Sequence, residues 1–303
     1  MRAILAAVAT ILAAQPSALR PQTATDIHVF AMTGGTASLA AAKPLTVSAE
    51  PGYENQPSFT PDGRSILFTA NRDGKQTDIY DFDRSARTIR QLTRTPEGEY
   101  SPTVPRVQPT APQLARDGFT VVRVEADGTQ RLWQFDREGR DAALVLRDIK
   151  PVGYHAWIDA DQLALYVLGE PATLHVARVS SGRSESVARD VGRTLRIIPS
   201  SSRVSFVQRE DEGTYSVVAL DPSTGARETL TRTVEGSLDR DYEWMPDGRT
   251  LLMSAGTKVL AWTRDTAWRE VLDVAPHGLG AVSRLSVSPS GDALALVTAE
   301  RPR

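Results

Sequence analysis

The chain has no cysteine, and histidine is scarce. Without cysteine there is no disulfide framework, no thiolate metal site and no anchoring through a lipidated N-terminal cysteine. His28, His155, His175 and His277 lie far apart and lack the i, i+4 spacing of a helical zinc pair. Charge of one sign is missing as well. With 35 basic and 37 acidic residues the formal balance is −2, so nothing electrostatic draws the chain to nucleic acid or an anionic membrane. No G-x-S-x-G elbow, phosphate loop ahead of a helix, or D-x-D-x-D-G calcium loop occurs. The sequence therefore predicts no catalytic residue, no metal and no cofactor.

Long apolar runs are absent except at the start. Arg2 precedes Ala3 to Ala14, apolar but for Thr10, and the run stops at Gln15-Pro16. It falls short of the roughly twenty residues that cross a bilayer, and its flanks are those of a secretory signal peptide. We read residues 1–22 as that peptide, with Ala14, Ala18 and Ala24 as small residues near the cut. The mature chain is expected to be periplasmic or secreted, with no membrane insertion after cleavage.

What is present is turn chemistry. Glycine (21) and proline (19) are scattered through the chain rather than gathered into a linker, which suits one turn-rich all-β body over residues 23–303. The clearest stretch is Gln56 to Asp83. Pro61-Asp62-Gly63 sets a tight turn, Ser65 to Ala70 reads as a strand, Asp73-Gly74 as a hairpin turn, and Asp78 to Phe82 alternates apolar with polar. Strands this short need neighbours of their own kind.

Copies recur. Glu99 to Thr103, Phe119 to Val124 and Arg131 to Asp136 form a second unit; a third runs from Tyr154 through Leu163–Leu168 to Thr173–Val179. A fourth holds Leu195–Pro199, Arg203–Gln208 and Ser216–Asp221, and a fifth has Tyr242–Arg249, Thr250–Ser254 and Lys258–Trp262. The sixth, Arg284–Gly291 and Asp292–Ala299, stops short. Asp26–Phe30 matches its missing third strand, Thr33-Gly34-Gly35 the following turn, and Pro44–Ala49 a fourth strand. The expected fold is thus an all-β, six-bladed β-propeller whose last blade is closed by the N-terminus, leaving no unpaired edge.

The segment PSFTPDGRSILFTANRDG followed by DIYDFD resembles the WD40-like (PD40) repeat of TolB-type β-propellers. The match is close in the first unit, good in the fifth and sixth, and weaker between. The resemblance implies a six-bladed propeller, often periplasmic, that serves as a binding or scaffold partner. It also implies an accessory role beside hydrolase domains in some chains, but the resemblance covers the propeller alone, and neither the hydrolase half nor the N-terminal α/β domain of TolB is expected here.

Rigid rings place function on the loops that converge at the channel mouth. Counting three residues back from Phe59 and its equivalents gives Gln56, Ser101, Tyr154, Thr194, Asp241 and Arg284, with Glu54, Glu99, His155, Arg193 and Arg240 beside them. We take Gln56, Ser101, Tyr154, His155, Asp241 and Arg284 as the candidate binding set for an envelope protein or small ligand, in a protein expected to be monomeric. The alternative is a hydrolase or lactonase of the propeller type, using channel charges and a divalent metal. His28 and His175 are expected to pack between blades. The Pro-rich stretch 104–113 is expected to be a surface excursion, although it could also cross the channel mouth or present a docking strip.

Overall fold

The computed structural model describes residues 23–48, 50–211, 213–237 and 240–300, and the leader expected over 1–22 lies outside them. Its strands form six antiparallel four-stranded sheets around an axis. Blade 1 comprises Glu54–Phe59, Ser65–Ala70, Asp78–Asp83 and Thr88–Gln91, counted outward from the axis. Blade 2 begins with Gly98–Thr103, blade 3 with Val152–Trp157, blade 4 with Val191–Ile197 and blade 5 with Tyr242–Trp244.

Blade 6 is built from both ends of the chain. Val282–Val287 and Ala293–Ala299 supply its inner pair, Thr25–Ala31 and Pro44–Ser48 its outer pair. Asp26 stands opposite Thr298, His28 opposite Leu296 and Phe30 opposite Leu294. The turn expected at Thr33-Gly34-Gly35 is closed by the Gly35 amide, which donates to Met32 O at 3.0 Å, with Gly35 at φ 63°. A short 3-10 turn, Leu39–Ala41, follows before Pro44–Ser48, and its Leu39 is fully buried in the core between blades 5 and 6.

The turns form for the reasons the residues suggest. Asp62 accepts from Thr60 Oγ1 at 2.6 Å and from the Arg64 amide at 3.1 Å, while Gly63 sits at φ 69°. In blade 5 Asp247 accepts from the Arg249 and Thr250 amides, both at 2.8 Å. Gly248 is constrained twice, by φ 63° and by Pro199 O, which a β-carbon there would approach to 2.7 Å. In blade 6 Ser290 stands where the aspartate does, and Ser288, the counterpart of Thr60, accepts from the Asp292 and Ala293 amides at 3.0 Å.

Because successive strand residues face opposite ways, each blade buries two faces. The described residues accordingly divide into separate cores, each between neighbouring blades. Ile66 and Phe68 pack with Ile27 and Val29 of blade 6, while Leu67 and Ile79 pack with Phe119 and Val121 of blade 2. The same holds around the ring, through Trp157 with Leu132, Phe206 with Leu174, Tyr242 with Val207, and Leu285 with Leu252. His28 is buried in blade 6 and shares a hydrogen bond with Thr46 at 3.2 Å; His175 is half-buried and meets Thr173 at 3.1 Å. The recurring aspartates serve turns: Asp83 accepts from the Ser85 and Ala86 amides, Asp136 from those of Glu138 and Arg140.

The Pro-rich stretch is more than an excursion. Pro105, Pro109 and Ala111 are buried, Thr110 N donates to Ala160 O of blade 3 at 3.1 Å, and Ala111 and Leu114 join the core between blades 2 and 3. Deleting residues 104–113 is therefore expected to lower the thermal midpoint by several degrees; an unchanged midpoint would restore the excursion reading.

Candidate functional site

The innermost strands do not run straight. Register shifts interrupt their pairing between Asn55 and Ser58, Tyr100 and Thr103, Val152 and Tyr154, Val191 and Leu195, and Val282 and Arg284. A bulge places an extra residue on one strand and re-aims the side chains beside it. Here the bulges fall at the channel-lining row. Gln56 and Ser101 carry positive φ of 56° and 54° for this reason, an uncommon state for residues with a β-carbon.

The row surrounds a cavity of about 590 Å³ lined by all of Gln56, Ser101, Tyr154, His155, Thr194, Asp241 and Arg284. It opens at the other end of the inner strands from the one expected. Its rim is made by the segments leaving those strands, including Pro61, Val104–Val107, Pro199–Ser201 and Pro289, and not by the loops entering them. The Pro-rich stretch thus borders the mouth, with Arg106 and Val107 exposed there.

At the floor one hydrogen-bonded group joins blades 1, 3, 4, 5 and 6. Arg284 donates to the Tyr154 hydroxyl at 2.9 Å and to Asn55 Oδ1 at 3.4 Å, its guanidinium 5.3 Å from the Tyr154 ring centre. Asp241 accepts from Thr194 Oγ1 at 3.0 Å and from the Leu285 amide at 2.8 Å, with Arg284 and Arg196 both 3.7 Å away. Arg196 donates in turn to Glu243 at 2.8 Å. Each carboxylate is therefore held by a guanidinium, as buried charge requires.

These neighbours set the titration. Burial pushes the Tyr154 phenol up, but Arg284 and then Arg193 outweigh it and hold it below its ordinary value. Burial raises the Glu243 carboxyl despite Arg196. Tyr53, behind the floor, is pushed up by burial and then by Tyr154.

Sequence counting brought together four residues at the axis, Tyr154, Thr194, Asp241 and Arg284. The other candidates hold blades together. Gln56 Oε1 accepts from the Ser101 amide at 2.8 Å and from Thr69 at 3.0 Å, so it bridges blades 1 and 2. His155 alternates away from Tyr154; its ring meets Thr120 of blade 2 at 2.8 Å, where Trp157 also donates at 3.1 Å. Glu54 accepts from Ser48 at 2.5 Å and Arg72 at 3.0 Å, clipping blade 1 to blade 6. Glu99 with Thr95 and Arg123 repeats that clip between blades 2 and 1. Arg196 and Glu243 escaped the count because they lie two residues further along their strands. A second reading of the same alternation, at every other residue beyond Thr194 and Asp241, points to both.

No family model matches the chain, and no curated protein sequence does either. Solved structures do match its shape. A protein assigned to TolB from Agrobacterium tumefaciens superimposes with a TM-score of 0.71 at 14% identity, over 93% of this chain and 100% of that one. TolB from Acinetobacter baumannii gives 0.59 at 16% identity over 92% of this chain, which spans 64% of that protein. A gluconolactonase of Xanthomonas campestris gives 0.62 at 12% identity, over 93% and 99%. The chain is thus a six-bladed propeller with a polar axial channel. In fold, it is TolB-like.

Burial also makes the structure pH-sensitive. It lowers His155 to about 3 and His28 to about 4, from 6.5. Both imidazoles are neutral when folded and take up protons on unfolding, so their contribution, present above about pH 6.5, is lost as pH falls towards those values. Burial raises Glu99 to about 7, so its contribution runs the other way, present below about 4.5 and lost as pH rises through 7. Replacing His155 with Gln should make stability between pH 6.5 and 4 rise less steeply with pH, by about 1.4 kcal/mol per unit in urea titrations. An unchanged slope would contradict a buried neutral ring.

Proposed function

We propose that the chain is an exported, non-catalytic binding propeller of the cell envelope. It holds a partner-protein segment or small ligand in the wide mouth of its channel. The observation that carries this reading is the floor itself. Asp241 and Glu243, the carboxylates deepest in the mouth, are each engaged by neighbours, Asp241 by Thr194 and the Leu285 amide, Glu243 by Arg196. A general base must be within reach of a substrate proton and a nucleophile must be poised by a base. These groups are instead fixed as recognition elements, beneath a rim of prolines with Ile158 and Ile198. A rim of prolines and isoleucines, interrupted by Arg106, Ser200 and Ser201, over a polar floor suits an occupant with an apolar body and a hydrogen-bonding head. The leader read from the sequence supports export.

The rival reading, a lactonase or hydrolase using a divalent metal, draws support from the gluconolactonase-like shape. It needs oxygen or nitrogen donors converging on one point. Among the described residues no three of His, Asp or Glu converge in that way, and Arg284 and Arg196 place guanidinium groups beside Asp241.

The double substitution Arg196→Gln with Glu243→Gln removes the charges of the floor as a pair. Capture of native envelope partners on the immobilised protein should fall by about tenfold or more, as loss of charge-assisted contacts implies, with the circular dichroism unchanged. Equal capture by a folded variant would count against the mouth. Stoichiometric calcium, manganese or zinc in the purified protein would favour the enzyme.

A further inference from the structure

Of the charged side chains that line the wide mouth, all but one are committed to neighbours. Both oxygens of each carboxylate accept a bond from within the chain. Asp159 takes the Asp161 and Gln162 amides and Gln162 Nε2; Glu243 takes Arg196 and the Trp244 amide. Asp241 takes Thr194 and the Leu285 amide. Arg196 and Arg284 stand beside these carboxylates, and Arg193 has a partner as well.

Arg106 is the exception. It lines the cavity, is exposed, and among the described residues makes neither a hydrogen bond nor an ion pair. Its charge is still felt across the ring, because Glu243, raised by burial, is drawn down by Arg196, the Trp244 amide and then Arg106. The guanidinium therefore faces into the mouth, and Glu243 tempers its charge while leaving its five N–H groups without an acceptor. The backbone holds this side chain in place. Pro105 and Pro109 are buried on either side of it, and Thr110 N donates to Ala160 O at 3.1 Å. Proline fixes φ, so the exposed tip 106–108 is a short, firm projection.

A second donor is open. Gln56 spends its Oε1 on the Ser101 amide and Thr69 Oγ1. A backbone N–H can only donate, which fixes the oxygen end of this side chain and leaves Nε2, with two N–H groups, to the cavity it lines. The mouth thus has donors to offer and few acceptors to spare. Beyond its floor lies a second cavity of about 470 Å³, and Tyr154, Arg193 and Arg284 line both. These three form the waist of the channel, so the mouth is a pocket with a floor, which suits a chain end more than a through-running segment.

A fork for a carboxylate, an amide donor for a carbonyl and an apolar wall of Ile158, Ile198 and Pro199 match one chemical unit. The last residue of a polypeptide has all three parts, and capture of such a terminus by converging donors is a recurring mode of recognition. We propose that the mouth takes the C-terminal apolar residue of a partner polypeptide, its carboxylate on Arg106 and its preceding carbonyl on Gln56 Nε2. This rests on the mouth being the binding site and names what it selects.

Calorimetry with N-acetyl-leucine, N-acetyl-leucinamide and 4-methylpentanoate separates these parts, since the second lacks the charge and the third the carbonyl. N-acetyl-leucine should bind about tenfold more tightly than its amide, the scale of one charge-assisted hydrogen bond, and several-fold more tightly than 4-methylpentanoate. Arg106→Gln removes a side chain to which no neighbour is bonded, so the variant should fold, bind the amide unchanged and bind the acid no better. The assignment is overturned if acid and amide bind alike, or if the preference for the acid survives in Arg106→Gln. It is equally overturned if 4-methylpentanoate matches N-acetyl-leucine, or if none of the three binds saturably at millimolar concentration. The mouth itself is judged separately, by partner capture on the Arg196→Gln, Glu243→Gln protein, which keeps Arg106.

Discussion

Everything in this molecule depends on the pairing of Thr25–Ala31 with Ala293–Ala299. A propeller blade has two apolar faces, and each needs a neighbour. If the ring were left open, the faces on either side of the gap would meet water, along with the unpaired edge of Ala293–Ala299. The N-terminal strand fills that gap. It places Phe30 against the blade 5 side and Ile27 and Val29 against the blade 1 side, so one strand serves two cores.

The closed ring in turn defines the axis. Inner strands that stand side by side bring residues remote in sequence within hydrogen-bonding distance, as with Arg284 and Tyr154 or Asp241 and Thr194. The bulges at this row turn side chains inward that a regular strand would direct elsewhere. The ring is also unequal around its circumference. Blades 1 and 2 use the row for support, through Gln56 and the Ser101 amide, whereas blades 3 to 6 use it for charge and hydroxyl groups. The charge of the row is therefore concentrated on one side of the axis, and Tyr154, Arg193 and Arg284, which line both cavities of the channel, stand at the waist between them.

Much of the fold was legible in the residues. The Pro-Asp-Gly turns, the alternating strands and the match of Asp26–Phe30 to a missing third strand led to six blades and to the right closure. These are local signals, fixed by backbone preference and by period-two burial. The additional 3-10 turn at Leu39–Ala41 was not legible, because it depends on a buried contact with another blade. For the site, counting along the repeat located the row but not its orientation. It could not show that Gln56 and His155 are spent on neighbouring blades, since bulges and partner distances are properties of the assembled ring. Nor did the proline content of 104–113 reveal that its buried residues anchor it beside the mouth.

The absence of cysteine offers a direct test of the closure. Ala31 and Ala293 stand opposite each other in the shared blade, and facing residues of antiparallel strands lie within disulfide range. In the double variant Ala31→Cys with Ala293→Cys, mild oxidation should form an intramolecular bond in nearly every molecule, read as loss of free thiol with no dimer on a non-reducing gel. Free thiols that persist in the folded protein, or bonds formed only between chains, would contradict the shared blade and the channel that depends on it.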